Sequence, residues 1–421
     1  MTPKPSIVVH YHELWLKGRN RNFFLAKLGA ALRQALEGLP VARIRRPGDR
    51  MVIELATPEA VGPAVLRLER VLGIAYFAVA RPAERDIDAL CRAAWEEMAA
   101  LDFSTFAVRA KRGDKSFPLR TMEIERRVGR YLLDRLAEAG RSARVHLDDP
   151  AVTCHIEITP HMALVYARRI PGPGGLPANT AGRMMCLLSG GFDSAVAAWK
   201  MMKRGAHMGF AHFWGGGARP GESSVHVARE LVRALTPWQY TAKLYLIPFE
   251  SIQREIVSHA PESCRLLLYR RMMLRIAERL AERQRAIAIV SGDSLGQVAS
   301  QTLQNMVAVG AAGRMPVFRP LAGDDKLQII EIARRIGTHD ISAEPFHDCC
   351  PVFLPRTPAL FATPEELEAA EASLDVPALV RRGVESAELE RFRYAAGQVV
   401  SDAAAAHEAP HDTAPAEAPS K

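Results

Sequence analysis

The sequence lacks the patterns that identify several large classes of protein. No apolar run is long enough to span a bilayer, and the N-terminus lacks the charged-then-apolar layout of a signal peptide, so we expect a cytoplasmic protein. The glycine-rich turn ending in Gly-Lys-Ser/Thr that marks a nucleotide P-loop is absent. The 6 cysteines include no C-x-x-C pair and no disulfide-framework spacing, which argues against a zinc site and a secreted scaffold.

Composition indicates a folded protein of several domains with an anionic partner. The chain has 421 residues, of which 48% are hydrophobic, and this length predicts about two or three domains. The formal net charge is +8, which favours attraction to polyanions without defining a site. The positions of the charges are therefore more informative than their sum.

One turn organises the C-terminal half. Met184–Leu188 is apolar enough for a buried parallel strand, and the Ser-Gly-Gly-Phe-Asp-Ser turn of residues 189–194 follows it. Its glycines let backbone amides approach an anion, and we expect Ser194 to open a helix whose N-terminus would bind phosphate. The alternative is an ordinary turn between a strand and a helix.

The order of predicted elements divides the chain. Up to about residue 80 the order is β-α-β-β-α-β, which is typical of a ferredoxin-like domain. After a Pro- and Gly-rich breaker at residues 171–177, strands and helices alternate as in a doubly wound parallel sheet. Ligands of such sheets bind at the carboxyl ends of the strands.

Basic residues concentrate in the N-terminal half. One cluster follows the first predicted strand, and a second surrounds the segment Lys111–Phe117. Contact with several phosphates at once would require such clusters, with aromatic rings among them. The alternative is a solvated basic face whose charges pair with Glu123 and Glu125. The candidate RNA-binding residues are Lys17, Arg19, Lys111, Arg112, Lys115, Phe117 and Arg120.

Several separated motifs occur in one order and together resemble the tRNA 4-thiouridine synthetase family, ThiI, over about residues 7–360. The motifs are Glu13–Gly18, Lys111–Phe117, Gly174–Pro177, Ser189–Ser194, Arg270–Met273 and Gly292–Gln297. The turn at residues 189–194 resembles the PP-loop of ATP pyrophosphatases, which cleave ATP between its α and β phosphates. The resemblance implies ATP and Mg²⁺ as cofactors, tRNA as partner, and adenylation of the uridine at tRNA position 8 before sulfur replaces its O4.

The resemblance also implies a domain order and a fold class, α/β. We expect a ferredoxin-like domain at 1–80, a THUMP tRNA-binding domain at 81–170, a linker at 171–177, a PP-loop domain with a doubly wound parallel sheet at 178–385, and a largely disordered tail at 386–421. The form resembled is the one without a rhodanese-like domain. Some members of the family also supply sulfur for thiamine biosynthesis.

Site residues are carried over from the family position by position. The catalytic candidates are Asp193, which would hold Mg²⁺ or orient pyrophosphate, Lys326, which would offset charge on the α-phosphate, and Cys350 with Cys349, which would handle sulfur. Taken alone, Lys326 and Arg270 would be surface residues and His212 a core histidine. The ATP-binding candidates are Leu187, Leu188, Ser189, Gly190, Gly191, Ser194, His212, Phe213, Arg270, Gly292 and Gln301.

The source of sulfur stays open. A cysteine desulfurase acting as donor, free sulfide, or an iron–sulfur cluster on Cys264, Cys349 and Cys350 are the alternatives, although Leu266 and Tyr269 stand where a C-x-x-C would complete the family's cluster pattern. A homodimer is a further expectation. Two other functions compete: a PP-loop enzyme that adenylates another acceptor, and an RNA-binding protein with an inert PP-loop.

Overall fold

A computed structural model describes residues 4–215, 224–344 and 358–402, without the side chain of Trp15. It divides into two compact units, each with its own sheet. The first contains the described residues up to Thr180 together with Lys203–Gly205, and the second contains Ala181–Met202 and the described residues from Ala206 onward. Among the helices of the described residues, none is long and apolar enough to cross a membrane.

The first unit begins with the predicted β-α-β-β-α-β order, which is confirmed. The elements are β1 (Ser6–His10), α1 (Arg21–Ala35), β2 (Val41–Arg45), β3 (Met51–Leu55), α2 (Val61–Leu68) and β4 (Tyr76–Ala83). The strands pair antiparallel in the order β2-β3-β1-β4. The basic turn at Glu13–Asn20 forms 3-10 helix with a kink at Gly18.

The rest of this unit extends the same sheet. Its elements are α3 (Ile87–Met98), β5 (Thr105–Arg112), α4 (Thr121–Glu138), β6 (Arg144–Val145), β7 (Val152–Ile158), β8 (Ala163–Tyr166) and β9 (Ile170–Pro171). The strand order continues as β4-β8-β7-β5-β6. Helix α3 begins at the Asp86 carboxylate, which accepts bonds from two amides of the first turn. Leu90, Phe106 and Ile124 are among the residues that bury the faces of α3 and α4 against the sheet.

The segment at residues 171–177 differs from the predicted linker. Its backbone is hydrogen-bonded to the first unit, through Gly172 N to Ala75 O at 3.0 Å and Gly174 N to Ile74 O at 2.7 Å. A Cβ at Gly172 would lie 2.3 Å from Ile74 O, so this close approach requires glycine. The Pro and Gly residues here shape a close backbone contact rather than a free connection.

A buried ionic cluster joins the two halves of the first unit. Glu157 on β7 is 4% exposed and Arg50, just before β3, is 1% exposed, and they form an ion pair. Glu157 also accepts a hydrogen bond from Tyr166 Oη at 2.6 Å and lies 2.8 Å from His10 Nε2. Burial alone would raise the pKa of Glu157, but the His10 hydrogen bond and the charges of His10 and Arg50 outweigh it and lower that pKa.

The second unit contains a mixed sheet with five parallel strands. Its strand order is β14-β13-β10-β11-β12-β15-β16, and the strands from β14 to β12 are parallel. Helix α8 is buried along much of its length, with Leu267, Leu268 and Leu280 in the core. The elements are β10 (Arg183–Leu187), α5 (Phe192–Lys203), β11 (His207–Trp214), α6 (Ser224–Leu235), β12 (Thr241–Pro248), α7 (Glu250–His259), α8 (Arg265–Arg283), β13 (Ile289–Val290), α9 (Leu303–Gly310), β14 (Val317–Phe318), α10 (Lys326–Ile336), α11 (His339–Ala343), α12 (Pro364–Glu371), α13 (Val376–Glu385), β15 (Glu388–Ala395) and β16 (Gln398–Ser401).

The prediction of a disordered tail from residue 386 is wrong for residues 388–401. Strand β15 pairs antiparallel with β12, and β16 pairs with β15. Phe392 and Tyr394 face the core at alternate positions, and Glu390, which continues the alternation, is buried against Arg229 at 2.5 Å. An acid at a core-facing position concealed the strand pattern. Residues 403–421 lie outside the described residues.

The cluster around Glu157 gives the first testable prediction. Replacing Glu157 with Gln removes the more deeply buried of two carboxylates that pair with the Arg50 guanidinium and leaves the partly exposed Asp49, so the free energy of local unfolding should fall by about 3 kcal/mol. Hydrogen–deuterium exchange of the β7 amides in increasing urea measures this. Glu96→Gln is the matched control, because its pair with Arg81 is exposed and should contribute less than about 1 kcal/mol.

The pH dependence follows from the lowered pKa of Glu157. A lowered pKa contributes stability that is present above the ordinary value of 4.5 and is lost as the pH falls through the folded-state value. The difference in unfolding free energy between wild type and Glu157→Gln should therefore be constant near neutral pH and become smaller in acid. Equal losses in the Glu157 and Glu96 variants would contradict this account.

Candidate functional site

The turn after β10 is locked by its own serines. Ser189 N donates to Ser194 Oγ at 3.1 Å, and Ser194 Oγ donates to Ser189 O at 3.2 Å. The following helix begins at Phe192, two residues earlier than predicted, so Asp193 and Ser194 lie in its first turn. A fixed turn at the N-terminus of a 12-residue helix presents backbone amides and the positive end of the helix dipole to an anion.

A cavity of about 290 Å³ opens beside this turn at the carboxyl edge of the parallel strands. Nine of the predicted site residues line it, so the structure brings them together as expected. They are Leu187, Leu188, Ser189, Asp193, Ser194, Phe213, Arg270, Gly292 and Gln301. The walls are apolar near Leu187 and Phe213 and charged near Asp193 and Arg270, which suits a ligand with an apolar end and an anionic end.

Lys326 contacts the turn although it lies 133 residues after Asp193 in the sequence. Its Nζ lies 2.7 Å from Asp193 Oδ1, and Gln297 Nε2 donates to Asp193 Oδ2 at 3.2 Å. Lys326 is the first residue of α10, whose start is fixed by a capping box between Asp325 and Gln328. The predicted catalytic pair is therefore in direct contact, with the lysine on a helix terminus rather than on a free loop.

The loop that carries Lys326 is itself anchored. Asp324 pairs with Lys200 on α5, and its backbone oxygen accepts a bond from Ser294 Oγ at 3.1 Å. Sequence analysis did not identify Lys200, because its position in a helix does not indicate that it pairs with Asp324, 124 residues later. These contacts hold the start of α10 against α5 and the segment after β13.

Asp293 is the functional candidate that sequence analysis missed. It is 5% exposed, pairs with Arg270, and accepts hydrogen bonds from Ser291 Oγ at 2.8 Å and Arg319 Nε at 3.4 Å. Burial alone would raise the pKa of Asp293, but the Arg270 charge and these hydrogen bonds outweigh it and lower that pKa. One carboxylate thus holds two guanidinium groups at the cavity, which leaves one positive charge in excess for an anionic ligand.

The Gln301 side chain uses only one of its two polar atoms for hydrogen bonds within the described residues. Its Nε2 donates to Asp293 Oδ1 at 3.3 Å. Its Oε1 is buried and has no hydrogen-bond partner among the described residues. A buried acceptor without a donor is unfavourable, so this oxygen would gain from a ligand N–H group.

Three predicted ATP-binding residues do not line the cavity. Gly190 and Gly191 lie within the turn, and the side chain of His212 is 1% exposed. The two ring nitrogens of His212 lie 2.9 Å from Leu188 O and 3.0 Å from Ser224 Oγ. His212 is therefore a buried histidine that supports the turn, and its ring does not contact the cavity.

The cysteine predictions are only partly within the described residues. Cys349 and Cys350 lie outside them, so their predicted roles stay predictions. Cys264 is a free cysteine, partly exposed at the start of α8. Within residues 4–215, 224–344 and 358–402 no group of His, Cys, Asp and Glu side chains is arranged to hold a metal ion.

The basic residues of the first unit fall into two groups. Lys111 pairs with Asp49 at 2.5 Å, and Arg112 donates to the backbone oxygens of Lys115 and Phe117, so both stabilise the fold. The proposed RNA contact by Phe117 is wrong, because its side chain is 2% exposed and packs in the core. The remaining candidates are exposed or partly exposed, and helix α4 adds two more exposed arginines: Lys17, Arg19, Lys115, Arg120, Arg126 and Arg127.

The fold and the site define the class. A parallel sheet whose first strand leads through a Ser-Gly-Gly-x-Asp-Ser turn into a helix, with a cavity at the same edge, is the arrangement of a PP-loop nucleotide-binding domain. Residues 179–376 match the family described as thiamine biosynthesis protein (ThiI). Residues 6–78 match the ThiI ferredoxin-like domain and residues 83–168 match the THUMP domain.

Relatives extend the similarity over nearly the whole chain. The chain is 41% identical to a probable tRNA sulfurtransferase of Moorella thermoacetica, over 91% of this chain and 97% of that protein. It is 40% identical to a probable tRNA sulfurtransferase of Thermus thermophilus, over 92% and 94%. A solved 4-thiouridine synthetase in complex with RNA and ATP aligns with a TM-score of 0.82 and 30% identity, covering 92% and 99%. The chain belongs to the ThiI family of tRNA sulfurtransferases.

The Asp293 cluster gives the second testable prediction. Asp293→Asn removes the charge that keeps Arg270 and Arg319 together, so the second unit should lose about 3 kcal/mol of unfolding free energy at neutral pH. Removing one partner of a buried ion pair usually costs about 3 to 5 kcal/mol. We expect the low end of this range because each guanidinium is about one fifth exposed. Urea unfolding at a series of pH values measures the loss.

The sign of the pH effect is set by the lowered pKa of Asp293. The carboxylate contributes stability above its ordinary pKa of 3.8 and loses this contribution as the pH falls through the folded-state value. The loss of unfolding free energy in Asp293→Asn should accordingly be largest near neutral pH and become smaller as the pH falls. An Asn variant as stable as wild type at neutral pH would count against the role assigned to Asp293.

Proposed function

We propose that the protein is an ATP-dependent tRNA sulfurtransferase that adenylates the uridine at tRNA position 8 and replaces its O4 with sulfur, giving 4-thiouridine. The observation that carries this proposal is the contact of Lys326 with Asp193 at the start of α5, beside the cavity. The similarity to a 4-thiouridine synthetase that binds RNA and ATP supports it.

The cavity suits the two ends of ATP. The adenine would lie between the apolar walls near Leu187 and Phe213, where the unpaired Gln301 Oε1 can accept a bond from its amino group. The phosphates would extend toward the amides at the start of α5, close to Lys326.

The chemistry follows from the position of the lysine. Uracil O4 attacks the α-phosphorus, the new O–P bond forms as the bond to the β-phosphate oxygen breaks, and pyrophosphate leaves. Lys326 offsets the negative charge that develops on the phosphate oxygens. When bound, Mg²⁺ would neutralise charge on the departing pyrophosphate, and the Asp193 carboxylate offers the oxygen ligands this ion prefers. Sulfur then bonds to C4 and AMP leaves.

The described residues say less about the delivery of sulfur than about the adenylation of uracil. The outer sulfur of a persulfide on Cys350 or Cys349, charged by a donor such as a cysteine desulfurase, would bond to C4 as AMP leaves. A second thiolate would then break the S–S bond, so that sulfur stays on C4 and the two thiols are joined as a disulfide. Free sulfide and an iron–sulfur cluster that includes Cys264 are the other routes. The partly exposed position of Cys264 is compatible with a ligand role, and the remaining two cysteines lie outside the described residues.

Binding of tRNA is assigned to the first unit. Exposed lysines and arginines on the Glu13–Asn20 segment, the loop after β5 and helix α4 would neutralise backbone phosphates and release counterions. Of these, Arg126 and Arg127 take the place of the predicted Lys111, Arg112 and Phe117, whose side chains serve the fold. We further assign the protein to the cytoplasm and expect a homodimer, and a second role in thiamine biosynthesis would use the same sulfur chemistry.

A binding-only function is less well supported than catalysis. An inert PP-loop would not need the contact of Asp193 with Lys326 or the anchoring of the Lys326 loop by Asp324. An enzyme acting on another acceptor remains the second candidate, and the tRNA dependence of pyrophosphate release separates it from a tRNA sulfurtransferase.

The third prediction tests this division of labour. Asp193→Ala and Lys326→Met should each lower the rate of 4-thiouridine formation by at least about 100-fold, since loss of one charge-stabilising group at the reacting phosphate has this magnitude. Their dissociation constants for tRNA should stay at the wild-type value. The assay contains unmodified tRNA, ATP, Mg²⁺ and sulfide, and follows the near-ultraviolet absorption of thiolated uridine together with pyrophosphate release.

Lys243→Met is the control for loss of a lysine in the same unit, because Lys243 lies on β12 and does not line the cavity. Pyrophosphate release by wild type without any thiolated tRNA would favour another acceptor. Equal loss of tRNA affinity and thiolation in the Asp193 variant would contradict the separate roles of the two units.

A further inference from the structure

Two aromatic rings, Phe192 and His339, lie beside the catalytic candidate Lys326 and do not line the cavity. The Phe192 ring, at the variable position of the Ser-Gly-Gly-x-Asp-Ser turn, stacks on the His339 ring with centroids 5.3 Å apart and an interplanar angle of 30°. Lys326 Nζ lies 5.4 Å from the centroid of the Phe192 ring. Phe192 is partly exposed, as is the side chain of His339.

Asp193 connects this cluster to the cavity. Asp193 lines the cavity and contacts Lys326, whereas neither Phe192, Lys326 nor His339 is part of the cavity lining. The nucleotide would fill the cavity, so a second reactant has to approach the α-phosphate from outside it. Phe192 and Lys326 are next to that approach because both are adjacent to Asp193, one in sequence and one in space.

We propose that Phe192, backed by His339, forms a stacking subsite for the acceptor base, a uracil extruded from the tRNA. This inference rests on the proposed function and names the residues that position its second substrate. A base drawn out of an RNA helix loses its stacking neighbours, and an aromatic side chain replaces them. Packing of α5 against α11 does not by itself need an aromatic ring here, since an aliphatic side chain would fill the same space.

Lys326 makes the binding of uracil at this subsite depend on the binding of ATP. Its ammonium lies over the Phe192 ring and pairs with the Asp193 carboxylate. The phosphates of ATP carry several negative charges and attract the flexible lysine away from the ring. Stacking of a base on an aromatic ring is stronger than an exposed cation–π contact at this distance, so the uracil can take the place that the ammonium leaves.

Four variants test the subsite. Phe192→Leu keeps an apolar side chain of similar volume and removes the aromatic face, and Phe192→Tyr keeps the face. Ile287→Ala removes an apolar side chain that is 70% exposed just before β13, at the opposite edge of the sheet from the cavity. His339→Ala removes the ring that supports Phe192. Each is assayed as the full chain with an unmodified tRNA transcript, ATP, Mg²⁺ and sulfide.

The subsite predicts a specific pattern of rates. Phe192→Leu should release tRNA-dependent pyrophosphate about tenfold more slowly than wild type at saturating tRNA, while its dissociation constant for ATP and its melting temperature stay unchanged. Phe192→Tyr and Ile287→Ala should retain the wild-type rate, and His339→Ala should lie between. A rate of Phe192→Leu equal to wild type, or a loss of ATP affinity that accounts for its slower rate, would overturn the subsite.

A crosslinking measurement gives an independent readout. A tRNA with 4-thiouridine at position 8, bound with ATP and irradiated in the near ultraviolet, should crosslink to the peptides that contain Phe192 or His339. Crosslinks confined to other peptides would overturn the subsite while leaving the proposed reaction intact. A wild-type protein that releases no pyrophosphate in the presence of tRNA would instead overturn the proposed function.

Discussion

The ion pair between Lys326 and Asp193 is the contact on which the geometry of the site depends. It joins two helix N-termini that are 133 residues apart in sequence, and both lie at the carboxyl edge of one parallel sheet. A parallel sheet makes this possible because all its strands end at the same edge, where the following helices begin. The turn after β10, the loop before α10 and the cavity at the carboxyl ends of β10 and β13 are consequences of that arrangement.

Buried charge is used repeatedly to fix the elements around such contacts. Asp293 holds two arginines at the cavity, Glu157 connects the two halves of the first unit, and Glu371 accepts hydrogen bonds from Arg271 and Arg275 within the second. Removing one partner from such a pair costs far more than the pair contributes to stability relative to apolar residues. These clusters therefore specify which elements meet rather than adding much to the total stability.

The sequence was informative where local pattern and chemistry agreed. The strand-turn-helix around Ser189 and the ferredoxin-like order follow from apolar periodicity and turn residues, and the structure has both. The family resemblance assigned both Asp193 and Lys326 to the phosphates of ATP, which periodicity alone could not do. Contacts between distant segments need either a resemblance or a structure, because single residues carry no record of their partners.

The errors had physical causes of the same kind. Strand β15 was missed because Glu390 occupies a core-facing position, where only its pairing with Arg229 makes an acid tolerable. Phe117 was taken for a surface ring because basic residues surround it, although α4 and the sheet bury it. Asp293 lies within a recognised motif, but its contact with Arg319 is visible only once β14 is placed beside β13.

The central claim is that uracil O4 is activated by bonding to the α-phosphate of ATP. The most direct test uses a tRNA whose uridine at position 8 carries ¹⁸O at O4, incubated with the wild-type protein, ATP, Mg²⁺ and sulfide. The account predicts that each thiolated tRNA is accompanied by one AMP that has gained one ¹⁸O atom, measured by mass spectrometry. Unlabelled AMP, with the ¹⁸O recovered in water, would contradict it.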